Sequence, residues 1–196
     1  MSIRQFNASY LANEDRILFR FNTQNQEEYR FWFTRRVTLF ILAATSHLLA
    51  KKLEQTHSPD AAKAMNEFEK VAILEVVKSE DSQSQAYETG LNFPLGFDPI
   101  LVLDVTCALT KNGEKIAKIE DVNEGEIDDV LSLDFMLPGG ANLNLKLAVN
   151  LLQAMCVLLD QLRQQAGWGE AILQIKNTPD EEQSLEIKTN QNISIH

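Results

Sequence analysis

Residues 30–50, RFWFTRRVTLFILAATSHLLA, constrain the fold most, because a strand pattern there runs directly into a long apolar helix. The same order returns at residues 143–161, where alternating leucines lead without a linker into a second apolar helix. A period of two indicates a half-buried strand, and a period near 3.6 indicates a helix. Each strand–helix unit has an apolar face to cover, so two such units are expected to share one core.

The first unit opens with two strands between residues 16 and 33, in which aromatic and polar residues alternate. Two registers keep the aromatic faces together: one places Arg20 opposite Arg30, and the other places Arg20 opposite Glu28. Opposite charges across a strand pair are favourable and like charges are unfavourable. We therefore predict the second register, with a three-residue loop over residues 23–25 and Asn25 in the left-handed conformation.

Three helices are predicted, over residues 34–55, 60–79 and 148–166. Ser58 and Pro59 are suited to the cap and the first position of the second helix. The first helix has a wide apolar arc, which indicates burial on more than one side.

A central hairpin is predicted between residues 100 and 119, around the Asn112-Gly113 turn, since this pair tolerates two positive φ angles. A first strand is expected over residues 3–10, and a terminal hairpin from residues 171–176 and 185–188. Gly139-Gly140 is interpreted as the hairpin turn of the second unit.

These elements predict one α+β domain over residues 1–196 with antiparallel strands. Two β-hairpin–helix (ββα) units, near residues 15–55 and 130–166, pack together with one extra helix and a central hairpin. The similar order of the two units suggests an ancient duplication. The wide apolar faces of the helices exceed what one core of this size needs, so a homodimer is also predicted.

Composition places the chain among ordinary globular proteins, with 44% hydrophobic and 23% charged residues. The first residues lack the apolar region of a signal peptide. The most apolar run, residues 37–50, is too short to cross a bilayer, which needs about 20 residues. We therefore expect a cytoplasmic protein without a membrane segment.

Cys107 and Cys156 stand far apart in sequence, outside any CxxC or Cys/His spacing. This pattern indicates two buried, reduced thiols rather than a zinc site or a disulfide scaffold. No metal or cofactor is predicted.

The net charge of −10 argues against general binding of nucleic acid, yet six of the seven arginines lie within the first 36 residues. The candidate binding residues are Arg30, Trp32, Arg35 and Arg36. Cations in the first turn oppose the helix dipole, and local conflicts of this kind often mark functional sites. Guanidinium groups beside free helix amides would bind an anion. The alternative is that these arginines pair with the acidic segment 120–134 or with another subunit.

Other chemical candidates are weaker. The acidic segment 121–129 resembles a calcium loop, but Gly125 and Ser132 stand at the fifth and twelfth positions, where an EF-hand loop needs other residues. It is therefore interpreted as a solvated loop. His47 is placed inside an apolar helix, and no catalytic motif accompanies the histidines. Trp168 is interpreted as an anchor that closes the last helix onto the core.

The stretches EDRILFRFNT, EYRFWFTRRVTLFIL and LNLKLAVNLLQAMCVLLDQLRQQAGW resemble an uncharacterised family of bacterial proteins of about this length. The resemblance covers most of the chain. It implies a bacterial cytosolic protein and carries no catalytic residues.

The sequence therefore favours a non-catalytic binding or assembly protein that holds an anionic group of a partner at its basic strand–helix junction. One alternative is a small-molecule enzyme or ligand binder with a cleft between the two ββα units. A second alternative is binding of nucleic acid.

Overall fold

The computed structural model of the protein describes residues 3–78, 86–116, 127–170, 173–175 and 185–187. The strands within these residues are β1 (Ile3–Leu11), β2 (Arg16–Thr23), β3 (Glu28–Thr34), β4 (Ile100–Leu101), β5 (Asp104–Lys111), β6 (Glu114–Lys115), β7 (Val130–Met136), β8 (Asn142–Ala148), β9 (Leu173–Ile175) and β10 (Leu185–Ile187). The helices are α1 (Arg35–Glu54), α2 (Pro59–Lys78) and α3 (Val149–Gln165), and a 3₁₀ turn covers Pro138–Gly140.

The strands form two four-stranded sheets and one terminal hairpin. The first sheet has the order β1-β2-β3-β4, the second has the order β6-β5-β7-β8, and β9 pairs with β10. The described pairs are antiparallel apart from β3–β4, where Phe31 aligns with Ile100 in a short parallel pair. The predicted α+β class is thus confirmed, and the exceptions to antiparallel pairing are this pair and an isolated parallel bridge between Glu27 and Asn92.

The aromatic alternation places one face of the first sheet in the core. Phe19 and Phe33 stack across β2 and β3 with ring centroids 4.9 Å apart. Phe135 of β7 meets Phe31 and Phe33 edge-on, each at 5.4 Å. The two sheets therefore share one hydrophobic core.

Each unit passes from strand to helix without a linker, as predicted. The Thr34 hydroxyl accepts a hydrogen bond of 3.3 Å from the Val37 amide and caps α1. Helix α3 begins directly after Ala148 without a side-chain cap. α1 packs against β5 of the second sheet and α3 packs against β1 of the first, so each helix contacts the sheet that holds the strands of the other unit.

The predicted register of β2 and β3 is wrong, because Arg20 lies opposite Arg30. The loop is shifted by one residue, and Gln26 rather than Asn25 has the positive φ, at 59°. The Thr23 amide donates to the Glu27 carbonyl at 2.9 Å and closes this loop. The two arginines tolerate each other because each has partners outside the hairpin, described below.

α2 begins at Pro59 as predicted, and the Ala61 amide donates to the Ser58 hydroxyl at 3.4 Å. The helix packs on α1 and α3 through a face that buries Ala62 and Asn66. The opposite face of α2 is apolar and exposed, so its hydrophobic residues are divided between two sides of the helix.

The central hairpin has the predicted turn, with φ angles of 52° at Asn112 and 79° at Gly113. The Asp128 carboxylate accepts both turn amides, at 3.1 and 2.8 Å. The hydrogen bond from Gly113 is the main cause that lowers the pKa of Asp128. Residues 121–126 of the calcium-like segment lie outside the described residues.

Trp168 follows α3 and is buried, which confirms its prediction as an anchor. Its indole Nε1 donates to the Asp15 carboxylate at 2.8 Å. Tyr10 contacts the indole edge-on at 5.6 Å, and its hydroxyl donates to the same carboxylate at 2.9 Å. The end of α3 is thereby fixed to the first sheet.

Candidate functional site

The four predicted binding residues lie in a row along β3 and the first turn of α1. Arg30 and Trp32 project from the outer face of the first sheet, because successive strand residues alternate sides and Phe31 and Phe33 point into the core. Both are half-buried, whereas Arg35 and Arg36 are exposed. The row therefore has a covered half and an open half.

Arg30 belongs to the covered half. Its Nε donates to Oε1 of Glu28 at 2.7 Å, and the Glu28 side chain is fully buried. The guanidinium carbon lies 4.1 Å from the ring centroid of Phe97 and 4.8 Å from that of Phe93, distances typical of cation–π contacts. Only 13% of the Arg30 side chain is exposed, so its charge is used within the chain.

Residues 86–99, here called the cover segment, lie across the outer face of the first sheet. The Gly90 amide donates to Oε2 of Glu28 at 2.7 Å, and the Leu91 amide donates to the Gln26 carbonyl at 2.8 Å. Tyr87 lies under the Arg20 guanidinium at 4.4 Å. Burial raises the pKa of Tyr87, and the nearby Glu28 charge adds to this effect.

A close approach at Gly90 makes this arrangement possible. A Cβ atom at residue 90 would lie 2.8 Å from both the Gln26 carbonyl oxygen and the Glu28 Cβ. Any larger residue would therefore push the cover segment away from the sheet. Glycine is required here for space and not for its backbone conformation.

Arg36 belongs to the open half. Its guanidinium bonds the Asp104 carboxylate at 3.1 Å and the Leu103 carbonyl oxygen. The side chains of Arg36 and Asp104 are 56% and 55% exposed, and such exposed pairs contribute about 0–1 kcal/mol. A competing anion could therefore replace Asp104 at small cost.

Arg35 precedes it in the first turn of α1, which contains no acidic residue. Within the described part of the chain, its guanidinium has neither an ion-pair nor a hydrogen-bond partner. The charge of Arg35 is thus open to a partner molecule.

Exposed apolar residues lie near Arg36, whose guanidinium bonds the Leu103 carbonyl oxygen, whereas Nη2 of Arg35 lies 3.9 Å from where a Cβ of Gly169 would be. Phe97, Leu103 and Met136 are 63%, 46% and 49% exposed. The Leu103 amide donates to the Met136 carbonyl at 2.8 Å, which fixes the two residues side by side. The adjacent Val102 amide donates to the Trp32 carbonyl at 3.1 Å. We give the name junction patch to Trp32, Arg35, Arg36, Phe97, Leu103 and Met136, among which Phe97 lies against Arg30.

Sequence reasoning missed the apolar half of the junction patch. The segment 91–99 is rich in proline and glycine, and this content indicated only irregular structure. A usable signal was present, because Leu91, Phe93, Leu95 and Phe97 alternate inside a segment that cannot form a core strand. Met136 gave no such signal, since it continues the pattern of β7.

The acidic residues of segment 120–134 that the structure describes do not pair with the arginines. Lys52 bonds Asp129, and Lys115 bonds Asp134. Burial alone would raise the pKa of Asp134, but hydrogen bonds from Lys115, Asn144 and Thr106 outweigh it and lower the pKa.

A groove of about 650 Å³ lies between α1, α2 and α3, and thus between the helices of the two units. Two buried polar atoms on its wall, Oγ1 of Thr45 and Oδ1 of Asn66, have no hydrogen-bond partner. Burial raises the pKa of Cys156, which also lines the groove, to about 12. This thiol therefore stays protonated and is not an activated nucleophile.

His47 is half-buried in α1, and burial followed by the nearby Lys51 charge lowers its pKa. The described residues contain no cluster of three or more potential metal ligands. Among the same residues, no helix is long and apolar enough to span a membrane.

No family model, no curated protein and no solved structure matches this chain. The resemblance to a family of bacterial proteins therefore stays a prediction.

Proposed function

We propose that the protein is a non-catalytic, cytoplasmic binding or assembly protein of bacterial origin. Its junction patch holds a protein partner that presents an anionic group next to apolar side chains. One observation carries the proposal: the exposed Arg36 guanidinium, which bonds the Leu103 carbonyl oxygen, lies beside the exposed residues Leu103 and Met136. Arg35, in the same helix turn, adds a second exposed cation.

The two halves of the patch would act on different parts of the partner. The arginines would bind a carboxylate or phosphate through charge-assisted hydrogen bonds, which are stronger than neutral ones. Phe97, Leu103 and Met136 would bury apolar surface, and aromatic residues, methionine and arginine are enriched at protein interfaces. Arg30 is assigned a supporting role, since it holds the Phe97 ring in place rather than contacting the anion.

The experiment places a photo-crosslinking amino acid at Leu103 in cells of the native host. We expect an adduct with a partner protein, and we expect its yield to fall at least tenfold when Arg35→Glu and Arg36→Glu are combined. The melting temperature should stay nearly unchanged, because the Arg36–Asp104 pair is exposed.

A matched variant, Lys63→Glu with Lys146→Glu, makes the same change in charge away from the patch and should leave the adduct intact. A crosslinker at Lys146, on the outer face of the second sheet, tests whether capture is specific. An adduct that survives reversal of Arg35 and Arg36 would contradict the proposal. A large loss of stability in the Arg35→Glu, Arg36→Glu variant would instead mean that these arginines stabilise the fold.

The groove between the helices favours a second candidate function, binding of a small amphiphilic molecule. Its wall combines apolar residues with the unpartnered Thr45 and Asn66 side chains. Native mass spectrometry of gently purified protein tests this candidate. Mass beyond a whole multiple of the chain, lost in Leu42→Arg, would support it, and a clean mass would count against it.

Self-association into a homodimer is also part of the proposal. Two copies of the junction patch in one particle would raise the apparent affinity for a partner that carries two binding sites. The face that would form the dimer lies on α2.

A further inference from the structure

The exposed side of α2 is an apolar stripe that the described fold does not cover. Phe68, Val71 and Met65 are 74%, 53% and 37% exposed, and Ala64 and Ala72 are exposed beside them. α2 packs mainly on α1 and α3, and it does so through the opposite side, which buries Ala62 and Asn66. Contiguous exposed apolar surface of this kind marks an interaction site.

The order of side-chain sizes along the stripe is symmetric about Phe68. Met65 and Val71 lie three residues to either side of it, and Ala64 and Ala72 lie four residues to either side. Residues three and four apart share a helix face, so all five lie in one row. In a two-fold dimer the same patch faces itself in the reverse direction, so a pattern that reads alike in both directions fits it.

We infer that a second copy of the chain covers this stripe, with the two α2 helices antiparallel across a two-fold axis at Phe68. Phe68 then meets the Phe68 side chain of the second copy. Met65 faces Val71 across the interface, and Ala64 faces Ala72. Small residues thus meet small ones at the two ends of the contact, and the larger side chains meet between them.

The charges beside the stripe are compatible with a second copy. The Glu67 carboxylate pairs with Lys70 at 2.7 Å on the same helix. Glu69 accepts a hydrogen bond of 2.6 Å from Gln153 on α3. These two carboxylates are therefore engaged within each chain, while Glu75, seven residues after Phe68 on the same face, lies at the end of the stripe and is exposed.

The contact is short compared with a standard interface of about 800 Å² per partner. We therefore expect a reversible dimer with a dissociation constant in the micromolar range. The net charge of −10 repels a second copy, so added salt should tighten the dimer. A dimer held by ion pairs would respond in the opposite direction.

Analytical ultracentrifugation between about 1 and 200 µM tests the inference. We expect Phe68→Asp to weaken the dimer about 30-fold or more, the effect typical of an aromatic anchor. Phe97→Asp, which places the same charge at another exposed phenylalanine, away from α2, should leave the dimer unchanged. Circular dichroism should show both variants folded, since both side chains are exposed.

Disulfide crosslinking tests the orientation. Oxidation of a mixture of Ala64→Cys and Ala72→Cys chains should give crosslinked pairs, whereas Ala64→Cys alone should give none. In the antiparallel dimer two Ala64 positions are separated by eight residues along the helix axis, or roughly 12 Å, and a disulfide needs Cα atoms within about 7 Å. Crosslinking of Ala64→Cys alone would show a parallel pair and overturn the inference.

The inference rests on the proposed homodimer, and the two can fail separately. A wild-type chain that stays monomeric at 200 µM would overturn both. This holds even if a helix of another protein covers the stripe. A dimer that survives Phe68→Asp would overturn the assignment of this face alone. Neither result affects the junction patch, because partner capture there is measured by crosslinking at Leu103.

Discussion

Glu28 and Arg30 stand two residues apart on β3, and their side chains form a 2.7 Å ion pair on the outer face of the first sheet. The pair is shielded by the cover segment, whose Gly90 amide donates to the second oxygen of Glu28. An ion pair without such a cover would contribute little. The shielded Glu28–Arg30 pair is therefore a point at which the cover segment is fixed to the sheet.

Arg30→Met is expected to destabilise the protein by about 3–5 kcal/mol, because it leaves the buried Glu28 carboxylate without its cation. Urea unfolding followed by circular dichroism measures the loss. The double variant Glu28→Gln with Arg30→Met removes both charges and should recover part of the stability. A double variant that is less stable than Arg30→Met would contradict this explanation. It would show that the loss in Arg30→Met does not come from an unpaired Glu28 charge.

Gly90→Ala is expected to cost about 1–3 kcal/mol, the range for overpacking at a tight site. The added methyl group would meet the Gln26 carbonyl and the Glu28 side chain at 2.8 Å. Hydrogen exchange should then show faster exchange of the Leu91 and Asn92 amides, which bond the Gln26 carbonyl. Gly96→Ala serves as the control, since a Cβ there meets nothing within 4 Å, although its φ of 95° adds local strain. Unchanged exchange at Leu91 in Gly90→Ala would contradict the role of the close approach.

The strand–helix units could be predicted because their signal is local. The alternation at residues 17–21 and 29–33 and the helical period that follows each depend only on neighbouring residues. The start of α1 near Thr34 and the start of α2 at Pro59 are local in the same sense. These are the elements for which prediction and structure agree.

The register of the first hairpin could not be obtained from the same rules. The prediction compared only two cross-strand pairs, Arg20 with Arg30 and Arg20 with Glu28. It took no account of other groups near the arginines. In the structure, Arg20 lies over Tyr87 and bonds Asn7, while Arg30 lies against Phe97. These partners lie on β1 and on a segment more than sixty residues away, so the local charge rule omitted the contacts that decide the outcome.

The candidate site divides in the same way. The sequence identified the basic row, but it could not tell that Arg30 is covered while Arg35 is open, since the cover comes from residues 86–99. The apolar half of the junction patch depends on the contact between Leu103 and Met136, which are 33 positions apart. When a surface is assembled from segments that are far apart in sequence, no single segment carries a pattern that predicts it.

The two cysteines should react slowly with thiol reagents in the folded protein. Burial raises the pKa of both thiols, to about 12 for Cys156, and the thiolate is the reactive form. Ellman's reagent at pH 8 should therefore modify neither residue in native protein within minutes and both in urea. Rapid reaction of Cys156 in native protein would mean that the groove is open and the thiol is ionised, which would favour the small-molecule candidate.

Asp134 is expected to make stability depend on pH in the acid range. Its side chain is 8% exposed, and its pKa in the folded protein lies below the ordinary value of 3.8, which applies to the unfolded chain. As the pH falls, the unfolded chain takes up this proton first, so the stabilisation is complete well above pH 4 and is lost as the pH falls through the folded-state pKa.

Asp134→Asn should therefore lower the free energy of unfolding by about 1–2 kcal/mol at pH 7, because hydrogen bonds to a charged group are stronger than those to a neutral one. The difference between the two proteins should shrink when urea unfolding is repeated below pH 4. Asp129→Asn is the control, because the Asp129 side chain is 92% exposed and should change stability little at either pH. A difference for Asp134→Asn that stays constant from pH 7 to pH 3 would show that the loss comes from packing rather than from charge.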